Sequence, residues 1–275
     1  MDELSDACHE LNSCGLQTES DRHGVATLMA YFSSDLPLAE LETQLNSVLR
    51  SFDLAATELS VGSEGHRDWS LEWRKFYQPL RVGRHIVVHP PWIPVARVEG
   101  EIHIAIEPAM AFGTGGHEST QAALMGLENH LQPGDRGLDV GTGSGILSIA
   151  AIHLGADTMT AIDVDPVAVA NARHNVRENL GDEAQRVTVE RGGPGEIAAS
   201  AFDFIVANME RHIVRPLLAD IERRLATGGT VLFSGMLEFE RTEFEREVAA
   251  LGLCCDTSWV CNGWLGLGVR RRAKK

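Results

Sequence analysis

The sequence lacks the features that would suit it to a membrane, an oxidising compartment or a polyanion. No apolar run reaches the ~18 residues needed to span a bilayer. The start, Met1-Asp2-Glu3-Leu4, has neither the basic nor the apolar region of a secretion signal. Five cysteines (positions 8, 14, 254, 255 and 261) are odd in number and form no C-x-x-C pair. That pattern predicts reduced, mostly buried thiols, with no disulfide framework and no metal site. Together these absences predict a cytoplasmic protein.

Basic residues are also scarce, with 24 Lys and Arg against 39 Asp and Glu, a net charge of −15. Residues 1–64 hold twelve acids and two arginines, hence −10, leaving −5 for the other 211 residues. Direct nucleic-acid binding is not expected of such a surface, and no membrane partner is expected either. The acidic segment suits a basic protein partner, or is the solvated surface of a small domain. A 44% hydrophobic content over 275 residues supplies a core for one large domain or two modest ones.

The chain is organised around Gly137-Leu-Asp-Val-Gly-Thr-Gly-Ser-Gly-Ile-Leu-Ser-Ile-Ala-Ala151. Leu138-Asp139-Val140 reads as a buried strand. Gly141, Gly143 and Gly145 alternate after it, and an apolar helix starts at Ile146 and ends near Gly155. Glycines at a strand-to-helix turn allow a ligand to approach the backbone closely. The next strand, Thr158 to Asp163, ends in a carboxylate 22 positions after Gly141, where a doubly wound sheet bonds the hydroxyls of an adenosine ribose. A dinucleotide fingerprint requires glycine at position 146, which is Ile146. The G-x-G-x-G spacing instead resembles the first motif of class I S-adenosyl-L-methionine-dependent methyltransferases.

In chain order, an amphipathic helix is predicted from Asp2 to Leu16, with a weak strand over residues 15–20. A strand over Val25–Phe32, a helix over Leu36–Leu49 and a strand over Leu54–Val61 follow. The order α-β-β-α-β is one strand short of a ferredoxin-like unit. Turn residues at Gly62–Gly65 mark a boundary. Beyond it, Trp69, Trp73 and Phe76 share one face of a linker helix assigned to residues 65–80. Strands are expected at Arg84–His89 and Val98–Ile106, then a Gly-rich loop, Met110-Ala-Phe-Gly-Thr-Gly-Gly-His-Glu-Ser-Thr120, leading into a helix. After Asp163 the pattern continues with a helix capped by Asp165-Pro166 and strands at Val187–Glu190, Phe202–Asn208 and Thr230–Ser234. A helix over Glu238–Leu251 and a hairpin of Cys254–Val260 with Trp264–Val269 complete it. This predicts an α/β fold: a mostly parallel seven-stranded Rossmann-like sheet with one antiparallel strand.

The quoted motifs, with Asp163-Val-Asp-Pro166, Val206-Ala-Asn208 and Leu232-Phe-Ser-Gly-Met-Leu237, together resemble the PrmA family. These are class I methyltransferases of the large-subunit ribosomal protein number eleven. The resemblance implies a small α+β ferredoxin-like substrate-recognition domain (1–64, incomplete for want of its first strand), the linker helix (65–80) and a methyltransferase domain (81–275). It implies S-adenosyl-L-methionine as cofactor and a lysine or N-terminal amine of a basic ribosomal protein as acceptor. Thr120, Gly141, Asp163 and Asn208 are implied to line the cofactor site.

Residue chemistry extends that set. Gly143 admits the methionine portion, Asp139 binds its ammonium, and Phe112 belongs to the same loop as His117. The Asn208 amide oxygen can accept a hydrogen bond from the incoming amine. His117 either takes the amine's proton or orders its loop. Asn208 is followed by Met209-Glu210-Arg211 where the family has small apolar residues. Glu210 either attracts a lysine ammonium or pairs with Arg211. Nucleic-acid and glutamine methyltransferases carry prolines after this asparagine, and here there are none. A small-molecule amine methyltransferase and a non-catalytic adenosylmethionine-binding regulator are the alternative readings.

Overall fold

The computed structural model describes residues 8, 11, 13, 15–20, 26–32, 38–51, 78–107 and 116–271. The chain divides into two compact units, Met1–Lys75 and Phe76–Lys275. The expected strand at Leu54–Val61, the aromatic face of the linker helix and Phe112 lie outside the described residues.

In the first unit, β1 (Gly15–Ser20) and β2 (Ala26–Tyr31) pair antiparallel, from Gly15 opposite Tyr31 to Ser20 opposite Ala26. Leu16 is therefore in a strand and not in the helix expected over Asp2–Leu16, most of which lies outside the described residues. Helix α1 (Leu38–Ser51) buries Leu41, with Leu45 and Leu49 half-buried on the same i, i+4, i+8 face.

The second unit opens with a three-stranded sheet of β3 (Leu80–Val82), β4 (Ile86–His89) and β5 (Ile102–Ala105). β3 is antiparallel to β4, and β4 is parallel to β5. β3 was not expected as a strand, because three residues are too few to show a period of two. Helix α2 (Glu118–His130) is fixed to this sheet through Glu128. Its carboxylate accepts from the backbone N–H groups of Arg84 at 2.8 Å and His85 at 2.7 Å. These bonds hold the helix whose first turn carries Thr120.

The main sheet contains β6 (Arg136–Val140), β7 (Thr158–Asp163), β8 (Val187–Arg191), β9 (Phe202–Asn208), β10 (Leu225–Leu237), β11 (Leu253–Cys261) and β12 (Trp264–Arg271). Their order is β11-β12-β10-β9-β6-β7-β8. Strands β6 to β10 run parallel, and β12 runs antiparallel to both β10 and β11. The one antiparallel strand is the expected one. Helices α3 (Ile146–His153), α4 (Pro166–Leu180), α5 (Arg211–Val214), α6 (Leu218–Arg224) and α7 (Arg241–Ala250) connect the strands.

Side chains alternate across the strands into two cores. Val206 and Leu232 join Leu124, Ile149 and Val169 in one. Their neighbours Ile205 and Phe233 join Ile221 and Phe244 in the other. From β6 the chain winds outward through β7 to β8, then returns to the other side of β6 with β9 and β10. The winding therefore reverses between β6 and β9, and the crevice outside the carboxyl ends there is where such sheets hold ligands. No described helix is long and apolar enough to cross a membrane.

Candidate functional site

The carboxyl end of β6 carries Asp139, which has no exposed surface. One carboxylate oxygen accepts from the Thr142 hydroxyl at 2.7 Å and the Ser148 hydroxyl at 2.8 Å. The other, Oδ1, is buried without a hydrogen-bond partner. Burial pushes the carboxyl up from 3.8 to about 6, against the hydrogen bonds from Thr142 and Ser148 that favour the charged form. Ser148 was not singled out from the sequence, although a serine on the fully buried face of an apolar helix was a signal.

The loop after Asp139 turns through three glycines in the left-handed region, with φ of 73°, 55° and 83° at Gly141, Gly143 and Gly145. Gly145 caps α3, and a Cβ there would lie 3.3 Å from the Ala172 Cα, so a larger residue is excluded by both conformation and space. Asp163, at the end of β7, holds this loop. Its Oδ2 accepts from Gly143 N–H at 3.0 Å and its Oδ1 from Asp165 N–H at 3.0 Å. Each oxygen keeps acceptor capacity for a hydroxyl. On α4, Asn175 donates to the Ser144 carbonyl at 2.8 Å and fixes the loop from the other side.

Asn208 ends β9 opposite Ser234 of β10. Its amide N–H donates to the Thr120 hydroxyl at 3.3 Å, while its amide oxygen is buried without a partner. The Ser234 hydroxyl donates to the Ser119 carbonyl at 2.9 Å, a second tie between the strand ends and α2. Ser234 and Ser119 belong to two of the quoted motifs, but nothing local in the sequence signals their contact across 115 residues. Thr120 and Asn208, 88 residues apart, thus meet.

His117 is the N-cap of α2, its Nδ1 accepting from Ser119 N–H at 3.3 Å and lying 2.7 Å from the Ser119 hydroxyl. This cap starts the helix at Glu118, inside the stretch to Thr120 that the sequence reads as loop. The ring packs edge-on against Trp264 with centroids 4.5 Å apart. With Nδ1 turned to the Ser119 N–H and hydroxyl, the ring is placed as a helix cap.

Beyond Asn208, of the two readings of Glu210 the pairing with Arg211 is not found among the described residues. The Arg211 guanidinium turns away to Glu243 at 2.8 Å and Glu247 at 2.7 Å. Glu210 reaches only His212, at 3.3 Å among the described residues. Two carboxylates offer Arg211 a stronger, forked site than one flexible neighbour does.

The residues present fit an adenosylmethionine-type ligand. Two buried oxygens, on Asp139 and Asn208, lack donors, and the cofactor's ammonium and an incoming amine are both donors. Asp163 offers acceptors to hydroxyls. Among the described residues no group of His, Cys, Asp and Glu is arranged to hold a metal ion.

A family model described as "Ribosomal protein L11 methyltransferase (PrmA)" matches residues 5–272. The Ribosomal protein L11 methyltransferase of Symbiobacterium thermophilum is 43% identical over 201 residues, which are 72% of this chain and 64% of that protein. The one of Geobacter metallireducens is 38% identical over 266 residues, 94% of this chain and 81% of that protein. A crystal structure of ribosomal protein L11 methylase from Lactobacillus delbrueckii subsp. bulgaricus aligns with a TM-score of 0.65 at 28% identity. That alignment covers 72% of this chain and all of the other.

Proposed function

The chain belongs to the ribosomal protein L11 methyltransferase (PrmA) family, and on that premise we propose that it methylates lysine or N-terminal amines of ribosomal protein L11, using S-adenosyl-L-methionine. One observation carries the reading. The glycine loop, Asp163 and the buried, donor-free oxygens of Asp139 and Asn208 converge at the reversal point of the sheet.

S-adenosyl-L-methionine supplies a methyl group already activated on a sulfonium. The chain's own residues bind, orient and exclude water. Asp163 would accept from the ribose hydroxyls while keeping Gly143 in place. Asp139 would accept from the ammonium of the methionine portion at Oδ1. Gly141 and Gly143, with no side chains, leave the backbone open to close approach. Asn208, held by Thr120, would accept from the acceptor amine through its amide oxygen and so orient the nitrogen lone pair. His117 serves as the cap that fixes Thr120 rather than as the base. The acidic first unit, which holds most of the net charge, suits a basic ribosomal protein.

The cofactor half is tested by thermal shift. Adenosylhomocysteine should raise the melting temperature and NAD should not, because Ile146 fills the third glycine position. Equal shifts would overturn it.

A further inference from the structure

A pocket of ≈ 190 Å³ opens beyond the carboxyl ends of β9 and β10, lined by Glu210, His212, Gly235, Leu237, Glu240 and Trp264, with Arg211 and Arg215 at one wall. Its lining begins at Glu210, two residues after Asn208. Met209, which follows Asn208, donates its N–H to the Ser234 carbonyl at 3.0 Å. Gly235 has φ 88°, and a Cβ there would fall 2.6 Å from the Met209 backbone. Glycine at 235 thus lets the two strand ends close together behind the pocket. The Trp264 wall packs on His117, the cap of the helix that holds Thr120.

The charges facing this pocket are not balanced. Arg211 is satisfied by Glu243 and Glu247, and Arg215 by Glu247 at 3.3 Å. Glu240 accepts from Leu237 N–H at 2.9 Å and has no cation against it among the described residues. Glu210 is 67% exposed, with only His212 beside it. Exposed apolar side chains neighbour the lining residues in the chain: Ile213, next to His212, is 45% exposed and Phe239, between Leu237 and Glu240, is 82% exposed. Carboxylates and an indole around one cavity are the chemistry that takes an alkylammonium with its methylene stem.

We infer that this pocket is the docking site for a cationic, lysine-bearing segment of the protein acceptor, with Glu210 and Phe239 setting specificity beside the Asn208 amide. The inference rests on the proposed methylation of a basic protein, and it deepens that reading by giving the catalytic unit its own contact with the acceptor. Arg211 and Arg215 are already engaged by Glu243 and Glu247, so Glu210 and Glu240 leave the pocket a surplus of negative charge that disfavours an acidic segment. The occupant is therefore a basic peptide.

The test uses the full chain with adenosylhomocysteine bound and a fluorescent peptide rich in lysine and alanine as probe. Glu210→Lys is compared with Glu178→Lys, which makes the same charge change on an exposed position of α4. That helix packs near β7 and β8, at the other end of the sheet. Glu210→Lys should weaken peptide binding at least about fivefold, and Glu178→Lys less than about twofold, because exposed charges beyond ~10 Å are screened. Phe239→Ser, at a solvent-exposed site, should weaken it about threefold through lost apolar contact alone. Equal effects of the two lysine substitutions, or unchanged binding in both pocket variants, would overturn the pocket. Methylation of ribosomal protein L11 is measured in parallel. Discrimination by the peptide without methylation of L11 supports the pocket and removes L11 as the acceptor. Methylation of L11 with an unchanged KM in Glu210→Lys does the reverse.

Discussion

The Asn208 amide donates to the Thr120 hydroxyl at 3.3 Å and turns its own carbonyl oxygen into a buried position with no hydrogen-bond partner. An unsatisfied buried acceptor is costly unless something supplies the missing donor. In the proposed reaction that donor is the acceptor amine.

Asn208→Ala removes the acceptor and should lower kcat by about two orders of magnitude. Adenosylhomocysteine affinity should change far less, because most of the contacts proposed for the cofactor come from β6 and β7. Thr120→Val, which leaves the amide free to turn, should show a smaller loss in the same direction. Steady-state kinetics with calorimetry separate the two effects. A kcat within twofold of wild type in Asn208→Ala would remove this residue from the reaction.

Asp139 predicts a pH dependence. Burial raises its carboxyl from 3.8 to about 6. The group therefore disfavours the folded state above pH ~6, by about 3 kcal/mol, and this cost disappears as the pH falls through the folded value toward the unfolded one. An ammonium at Oδ1 requires the carboxylate form. Adenosylhomocysteine affinity should thus fall below pH ~6, by about tenfold near pH 5. Asp139→Asn should bind more weakly at neutral pH and show a flat profile. Calorimetry across that range checks both, and a flat wild-type profile would exclude the contact.

His117 separates capping from base catalysis. Asparagine is a good N-cap, so His117→Asn should retain kcat within about fivefold. Loss of a general base would cost about 10²–10⁴. A loss of that size, with the acidic limb of the pH–rate profile removed, would restore the base.

Gly126 tests packing. Trp259 donates its indole N–H to the Ala122 carbonyl at 2.9 Å. A Cβ on Gly126 would lie 2.5 Å from the Trp259 ring, and one on Gly266 2.1 Å from it. Gly126→Ala gains up to about 1 kcal/mol of helix propensity. Overpacking should outweigh that and leave a net loss of about 1–3 kcal/mol by denaturant unfolding. A stabilised variant would show that the slot is loose.

Much of this was legible in the sequence because the signals are local. Alternating glycines, an acid at a strand end and the Asp165-Pro166 cap each carry their own conformational demand. β7 and β9 run over the predicted residues for that reason. What escaped depends on contacts distant in the chain. Ser148 becomes an Asp139 partner only after α3 packs on β6, and Ser234 finds Ser119 across 115 residues. Arg211 leaves its neighbour Glu210 because α7 brings two carboxylates to it. β10 extends from Leu225 to Leu237, well beyond Thr230–Ser234, because pairing resumes past the register shifts at its glycines, with Leu225 opposite Phe202 of β9 and Met236 and Leu237 opposite Leu265 and Trp264 of β12.

The central claim is tested most directly by mass spectrometry of recombinant ribosomal protein L11 after incubation with S-adenosyl-L-methionine and the full chain. Whole-methyl increments on lysine or N-terminal amines are predicted, with adenosylhomocysteine formed in equal amount. Both should fall sharply for Asp163→Asn, which loses a charge-assisted contact worth about 1.5–3 kcal/mol. Tight adenosylmethionine binding by the wild-type chain with no mass change in L11 would contradict the account.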